Sequence, residues 1–272
     1  MRSNDLHFII FSMNRACQLD AFLKSMCTMF PEYSCIHITI LYKVTSNDYE
    51  KGYDIVKLEY NSNIEFYRET ILRNDLDLLV GKYNEKYVVF FCDDDIWKYP
   101  FSLNFKEFDE FDKNNNIVTF SLRMSPLIRK CHPMGNIDTP PPKFENSLYI
   151  WNWTNSSMTG DWNYPMSVDG HIFKTELIKY YIKTTAFRNV TEFEGYIAAK
   201  PPRHLPLMIC CKDSPIFNIP MNIASEISSN INMNVTKEYL NERFLKGDRI
   251  DTGFYIGFKN ISPHQEVEVK WK

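Results

Sequence analysis

Apolar residues recur along this chain in two alternating rhythms. Residues 7–12 (HFIIFS) have the pattern of a buried strand. Beyond them Leu19, Phe22, Leu23, Met26 and Phe30 keep the three-and-four spacing of a helix, stopped by Pro31. Residues 36–42 (IHITILY) are rich in β-branched side chains and predict a second strand. A polar stretch with Asp48, Tyr49, Glu50 and Tyr53 predicts a short helix, and residues 64–67 a weaker strand. Leu72, Leu76, Leu79, Val80 and Tyr83 mark another amphipathic helix. The run YVVFFC (87–92) is the strongest strand, and 117–122 is the next.

Strands and helices alternating at this interval predict an α/β fold with a mainly parallel sheet and helices on both faces. Such sheets bind ligands at the carboxyl ends of their strands. From residue 125 to 168 the pattern breaks. Pro126, Pro133, Pro140, Pro141, Pro142 and Gly135 interrupt regular structure, and Trp151, Trp153 and Trp162 crowd the same stretch. An irregular insertion of this length inside a domain suggests a lid or binding loop. Regular patterns then return as a strand at 168–173, a helix through Leu177, Ile178, Tyr181 and Ile182, a strand at 215–219 and a helix at 235–245 ended by Gly247.

The chain has 272 residues, a length that one α/β domain with excursions can fill. With 44% apolar and 24% charged residues it is an ordinary globular composition, which excludes a disordered or fibrous chain. A net charge of -3 and a pI near 6.1 argue against a nucleic-acid binder, which would be basic. Aromatics reach 15%, leaving rings for stacking on flat ligands or sugars. Seven cysteines without a regular spacing predict reduced thiols rather than disulfides or a zinc site, and with them a cytoplasmic protein. Asn4, Asp5 and His7 interrupt any leader-like apolar run, and no run is long enough to span a membrane.

The candidate chemistry centres on Asp93-Asp94-Asp95, directly after YVVFFC. Three adjacent carboxylates repel one another and need a cation or many donors to stay ionised together. Oxygen ligands of this kind suit Mg²⁺ or Mn²⁺, which commonly combine one or two carboxylates with substrate phosphates. The alternative is a solvated turn with an Asp capping a helix. Glu194, in NVTEFEG (189–195), is a candidate general base, although Thr191 and Glu194 also fit a capping box, and spacing alone favours the cap. In Asp169-Gly170-His171 the carboxylate suits sugar hydroxyls and the glycine permits close backbone approach, or the tripeptide simply starts a strand. His264 is a possible third metal ligand. Arg15, just past the first strand, could reach a phosphate or pair with an acidic neighbour. No P-loop, GxGxxG or GxSxG motif is present.

An Asp-x-Asp (DXD) motif at a strand end, a third of the way along, resembles the GT-A class of nucleotide-sugar-dependent glycosyltransferases. Residues 14–19 (NRACQL) resemble the Arg-Pro-x-Gln-Leu opening of some family 2-like members, with Ala16 where proline is usual. YPMSVDGHIF (164–173), FRNVTEFEG (187–195), FNIPMNI (217–223), LNERFLKGDRID (240–251) and HQE (264–266) look like segments of one bacterial-type subfamily, in order along nearly the whole chain.

The resemblance implies a single GT-A (Rossmann-like) domain. Residues 1–124 would be its nucleotide-binding half, and 125–272 its acceptor-binding half with the Trp/Pro-rich insertion. It places Asp93 and Asp94 near the base and ribose of a nucleoside-diphosphate sugar. Asp95 would ligate a Mn²⁺ or Mg²⁺ ion bridging the diphosphate, together with Asp93 and His264. Arg15, Asp169 and Gly170 would contact the donor, Glu194 would be the catalytic base of an inverting displacement, and Trp151, Trp153 and Trp162 would form much of the acceptor site. The acceptor would be a glycan or glycolipid in surface-polysaccharide synthesis, and a lipid-linked one would bring peripheral membrane contact.

Two rivals remain. A sugar nucleotidyltransferase would normally carry a Gly-rich loop after the first strand, where this chain has SMNRACQL. A non-catalytic nucleotide-sugar or carbohydrate-binding module could keep the fold without the reaction.

Overall fold

Side chains along β1 (Leu6–Met13) divide between two apolar layers. Leu6, Phe8 and Ile10 enter one, Ile9 and Phe11 the other. β4 (Tyr87–Cys92) divides in the same way, with Val89 and Phe91 opposite Val88 and Phe90. Strand side chains alternate in direction, so a strand apolar at every position must be covered on both faces. A computed structural model describes residues 5–60, 63–145, 147–223 and 231–272; Asn4, read above as interrupting a leader, lies outside them.

The remaining elements follow in order: α1 (Ala16–Met29), β2 (His37–Lys43), α2 (Asn47–Glu59), β3 (Glu65–Arg68), α3 (Leu72–Leu79), β5 (Asp95–Trp97), α4 (Lys106–Lys113), β6 (Ile117–Ser121), β7 (Lys130–Cys131), β8 (Ile137–Asp138), β9 (Ile150–Asn152), β10 (His171–Lys174), α5 (Thr175–Thr184), α6 (Val190–Ala199), β11 (Leu207–Cys210), β12 (Ile216–Asn218) and α7 (Lys237–Leu245). The large sheet has the order β3-β2-β1-β4-β10-β6-β11-β9. β10 runs antiparallel between β4 and β6, and β9 antiparallel at the edge, while the other strands share one direction. The expected mainly parallel sheet forms, with two reversed strands added.

Helices α1, α2, α4 and α7 cover one face through residues such as Phe22, Val56, Phe111 and Phe244. Helices α3, α5 and α6 cover the other through Leu76, Ile178 and Phe193. Helix α4 presents only Phe108 and Phe111 as buried apolar side chains, too few for a clear period. Strand β11 is four residues long. Neither gave a pattern legible from sequence.

The β10 register fixes the site. His171 pairs with Phe90 and also with Ser121, so the residues just before β10 pass the carboxyl ends of β4 and β6. Gly170 ties the three strands together: its N–H donates to Phe90 O, and its carbonyl accepts from Leu122 N. It sits at φ +68°, and a Cβ there would come within 2.3 Å of Ile216 Cδ1. Only glycine holds that backbone without strain. The same left-handed residue explains why β10 begins at His171 rather than at 168.

Candidate active site

The acidic triplet divides between two networks. Asp93 accepts from Ser12 Oγ at 2.8 Å and from Arg15 Nη1 at 3.0 Å. Asp94 accepts from the same Nη1 at 3.0 Å and from Asn218 Nδ2 at 2.7 Å. Arg15 reaches them because Asn14, in the left-handed region at φ 59°, turns the chain out of β1. The Asn14 side chain anchors that turn to Thr45, just after β2. Tyr53 of α2 closes the network on Ser12 Oγ at 2.6 Å. Burial raises Asp93 to about 6, against the opposing pull of Arg15.

Asp95 faces the other way. One of its oxygens accepts from Cys92 N at 3.2 Å, the other lies 3.4 Å from the Asn218 Nδ2 that also holds Asp94, and its carboxyl is in hydrogen-bond contact with Asp169. Burial first, and the Asp169 charge second, hold Asp95 well above the usual carboxylate range. Asp169 is held low despite its own burial, by His264 Nε2 at 3.2 Å and Arg123 Nη1 at 3.3 Å. His264 arrives on the C-terminal segment, which bridges to β12 at Asn218.

Arg123, one residue beyond Leu122, was not singled out from the sequence. Its Nη2 donates to Asp161 at 2.8 Å, and its Nε lies 3.4 Å from His171 Nε2. His171 Nδ1 lies 3.2 Å from the carbonyl of Pro165, which can only accept. The ring therefore carries its proton on Nδ1 and leaves Nε2 to accept from Arg123. Burial and the neighbouring guanidinium lower His171 to about 3, which keeps it neutral.

Glu194 lies half-buried on α6. Its Oε1 accepts from Ser167 Oγ at 3.0 Å and Val168 N at 3.2 Å, two residues that lead into Asp169. Burial raises its pKa, with Arg123 opposing. The capping-box reading is corrected. Asn189 caps α6 by accepting from Glu192 N at 2.9 Å, and Glu192 reaches back to Arg188 N at 2.8 Å. Glu194 is thereby left to the site.

Two further expectations change. Asp93, Asp95 and His264 do not converge as metal ligands. Asp93 is bonded to Ser12 and Arg15, His264 to Asp169, and among the described residues no group of three His, Cys, Asp or Glu side chains is placed to hold a metal ion. Asp95 alone fits a cation, since a buried carboxyl pressed against a second one gains from an added positive charge. Of the two readings of Arg15, the structure shows the pairing with acidic neighbours: it is buried against Asp93 and Asp94, its Nη2 donates to the carbonyl of Asn222, and its Nε has no acceptor.

The tryptophans are not open platforms. Trp151, Trp153 and Trp162 are 0–2% exposed in the layer beneath α5 and α6. Trp151 and Trp162 pack edge to face at 5.0 Å, and all three indoles donate to backbone carbonyls. An apolar ring of that size gains most by leaving water, so the core claims it. The buried tryptophans anchor the insertion, which carries the short β7, β8 and β9 pieces and exposes residues such as Met134 and Ile137.

No family model matches the chain. A curated relative, the bifunctional glycosyltransferase pgtA of Dictyostelium discoideum, is 23% identical over 259 residues, covering 84% of this chain and 33% of its own. The chain thus spans about a third of the length of that relative. Among solved structures, S. aureus TarS 1–349 overlays at a TM-score of 0.49 with 13% identity, covering 78% of this chain and 59% of that one. Mannosyltransferase PcManGT from Pyrobaculum calidifontis, in complex with GDP-Man and Mn²⁺, overlays at 0.47 with 11% identity over 79% and 57% of the two chains. A cytidylyltransferase from Leptospira borgpetersenii overlays at 0.47 with 10% identity over 90% and 95%. The curated similarity is to a glycosyltransferase, the class that the motif order resembles. Among the described residues no helix is long and apolar enough to cross a membrane.

Proposed function

We propose that this chain is a metal-dependent glycosyltransferase that moves a sugar from a nucleoside diphosphate to a hydroxyl of a glycan or glycolipid, with inversion. The observation that carries the reading is the meeting of Asp95, Asp169 and the Ser167–Glu194 contact at the carboxyl end of β4 and the start of β10. Three carboxyl groups from three distant parts of the chain are gathered there under burial, which folding alone would avoid.

In this reading Asp93 and Asp94 receive the ribose and base, each oxygen keeping a further lone pair beyond its present bond. Asp95 would hold a divalent ion, with diphosphate oxygens completing the coordination, and that ion would neutralise the charge of the departing nucleoside diphosphate. Asp169 accepts from a donor-sugar hydroxyl. Glu194 takes the proton of the acceptor hydroxyl as its oxygen bonds to the anomeric carbon. The bond from that carbon to the phosphate oxygen breaks, and one displacement inverts the centre. Burial suits Glu194 to this task, because a base with a raised pKa holds the proton it takes more firmly.

The test is a thermal-shift screen of UDP-, GDP- and CDP-sugars with and without Mn²⁺, since a ligand of the folded state raises the midpoint. The expected result is a shift that needs both sugar nucleotide and Mn²⁺, with release of nucleoside diphosphate on incubation. A shift without turnover, even with glycan acceptors, would show a binding module. Pyrophosphate release from a nucleoside triphosphate and a sugar phosphate would show a nucleotidyltransferase.

A further inference from the structure

Asp161 and Asp169 are buried, and each gives one carboxylate oxygen to Arg123: Asp161 Oδ1 at 2.8 Å and Asp169 Oδ2 at 3.3 Å. Their second oxygens, Asp161 Oδ2 and Asp169 Oδ1, meet no nitrogen or hydroxyl donor; only the Cys131 thiol lies against Asp161 and only the Asp95 carboxyl lies against this side of Asp169. An ion-pair network built only for stability would satisfy those oxygens, since a buried acceptor without a partner loses its water and gains nothing in return. The Cys131 thiol is the near neighbour of Asp161, and a thiol is a weak donor.

The backbone is arranged around the same two carboxylates. Asp161 follows Gly160, and Asp169 precedes Gly170, both in the left-handed region at φ +60° and +68°. A Cβ on Gly160 would come within 2.8 Å of Cys131 Cβ, and one on Gly170 within 2.3 Å of Ile216 Cδ1. Arg123 itself is 1% exposed, with its three donor nitrogens committed to Asp161, Asp169 and His171. Buried as it is, it holds carboxylates in place rather than presenting itself to solvent.

We propose that Arg123 is a positioning residue that sets Asp161 beside Asp169 as a second acceptor for donor-sugar hydroxyls, so that Asp161 determines which sugar is accepted. This rests on the glycosyltransferase reading above. An ionised carboxylate only accepts, and hydroxyl-to-carboxylate bonds are short and strong. A site built to receive a hydroxyl rejects the analogue that lacks it, because its own polar group is then left bare.

The experiment measures nucleoside diphosphate release in Mn²⁺ from UDP-glucose, UDP-N-acetylglucosamine and GDP-mannose, and from the 2-, 3-, 4- and 6-deoxy analogues of whichever is turned over. The wild type is expected to lose roughly 10- to 150-fold in kcat/KM when one particular hydroxyl is removed, the worth of one hydrogen bond to a charged group. Asp161→Leu, of similar shape but unable to bond a hydroxyl, should remove most of that penalty at the same ring position and leave the other positions alone. Arg123→Lys, which keeps the charge but loses the planar fork, should flatten the same position while the Kd for nucleoside diphosphate stays at the wild-type value. A purely structural role would change all donors equally. The inference is overturned if Asp161→Leu keeps the full deoxy penalty at every position, and Asp161→Ala gives the same reading where Asp161→Leu or Arg123→Lys folds poorly. If the wild type turns over none of the three donors, the glycosyltransferase reading itself fails, and this inference falls with it.

Discussion

The two sides of the acidic triplet make opposite use of buried charge. On the β1 side, all four carboxylate oxygens of Asp93 and Asp94 have donors, from Ser12, Arg15 and Asn218. On the β10 side, Asp95 is pressed against Asp169, and two buried oxygens of Asp161 and Asp169 have no nitrogen or hydroxyl donor. In the first network every carboxylate oxygen is met and only Arg15 Nε lacks an acceptor, so it can serve as a rigid seat. The second is left short of positive charge and donors, and a substrate or ion can supply both. Adjacent residues of one sequence run thus have different tasks because they belong to different tertiary neighbourhoods.

The largest effect should come from the unsatisfied side. Glu194→Gln is expected to cut transfer by roughly 100- to 10,000-fold, the usual worth of a general base, with donor affinity preserved. Steady-state rates beside calorimetric donor titration give the answer, and an active variant would remove the base from the mechanism. On the complete side the loss should be in stability. Arg15→Met strands two buried carboxylates and should cost about 3–5 kcal/mol in urea unfolding. A cost below about 1 kcal/mol would place that pair among weak surface bridges and erase the contrast.

Asp95→Asn separates the sides within the triplet. Metal-dependent nucleotide binding should fall by at least roughly 10- to 100-fold, the cost of losing even an outer-shell partner, while the ligand-free protein melts higher because a neutral amide replaces one of two opposed carboxyls. Unchanged metal dependence would sink the assignment of the ion to Asp95. The smallest effect is a slope with pH. Burial raises the folded-state pKa of Glu194 above the ordinary glutamate value of about 4.3. In the window between the two values the folded state keeps a proton that the unfolded state has released. The stability this group contributes is complete below that window and is lost as pH rises through it. Glu194→Gln should flatten that part of the stability profile, and wild-type transfer should rise with pH through the same raised pKa.

Much of the framework was legible because its causes are local. Periodicity located β1, β2, β4, α1 and α3 to within a few residues, and the position of Asp93 to Asp95 after a doubly buried strand marked the candidate site. The predicted role of the tryptophans failed for an equally physical reason. Composition shows that rings are plentiful, but an aromatic side chain in an irregular segment has the same local pattern whether it faces water or a core. Arg123 had no motif around it, and its importance comes from Asp161 and His171, 38 and 48 residues away. One signal was available: an arginine just past a strand apolar enough to be buried must bring a charge into the interior and needs carboxylates there.

By itself the sequence determined most strands of the large sheet, most helices and an acidic triplet at the carboxyl end of one strand, since alternation, helical spacing and glycine or proline breaks act over a few residues. Tertiary structure decided which carboxylate answers to which partner. It gave Asp93 and Asp94 to Arg15, set Asp95 against Asp169, and freed Glu194 from a helix cap. It also closed the tryptophans into the core. The strength of a charge depends on burial and on neighbours brought from far along the chain, and both arise only when β10 runs antiparallel between β4 and β6.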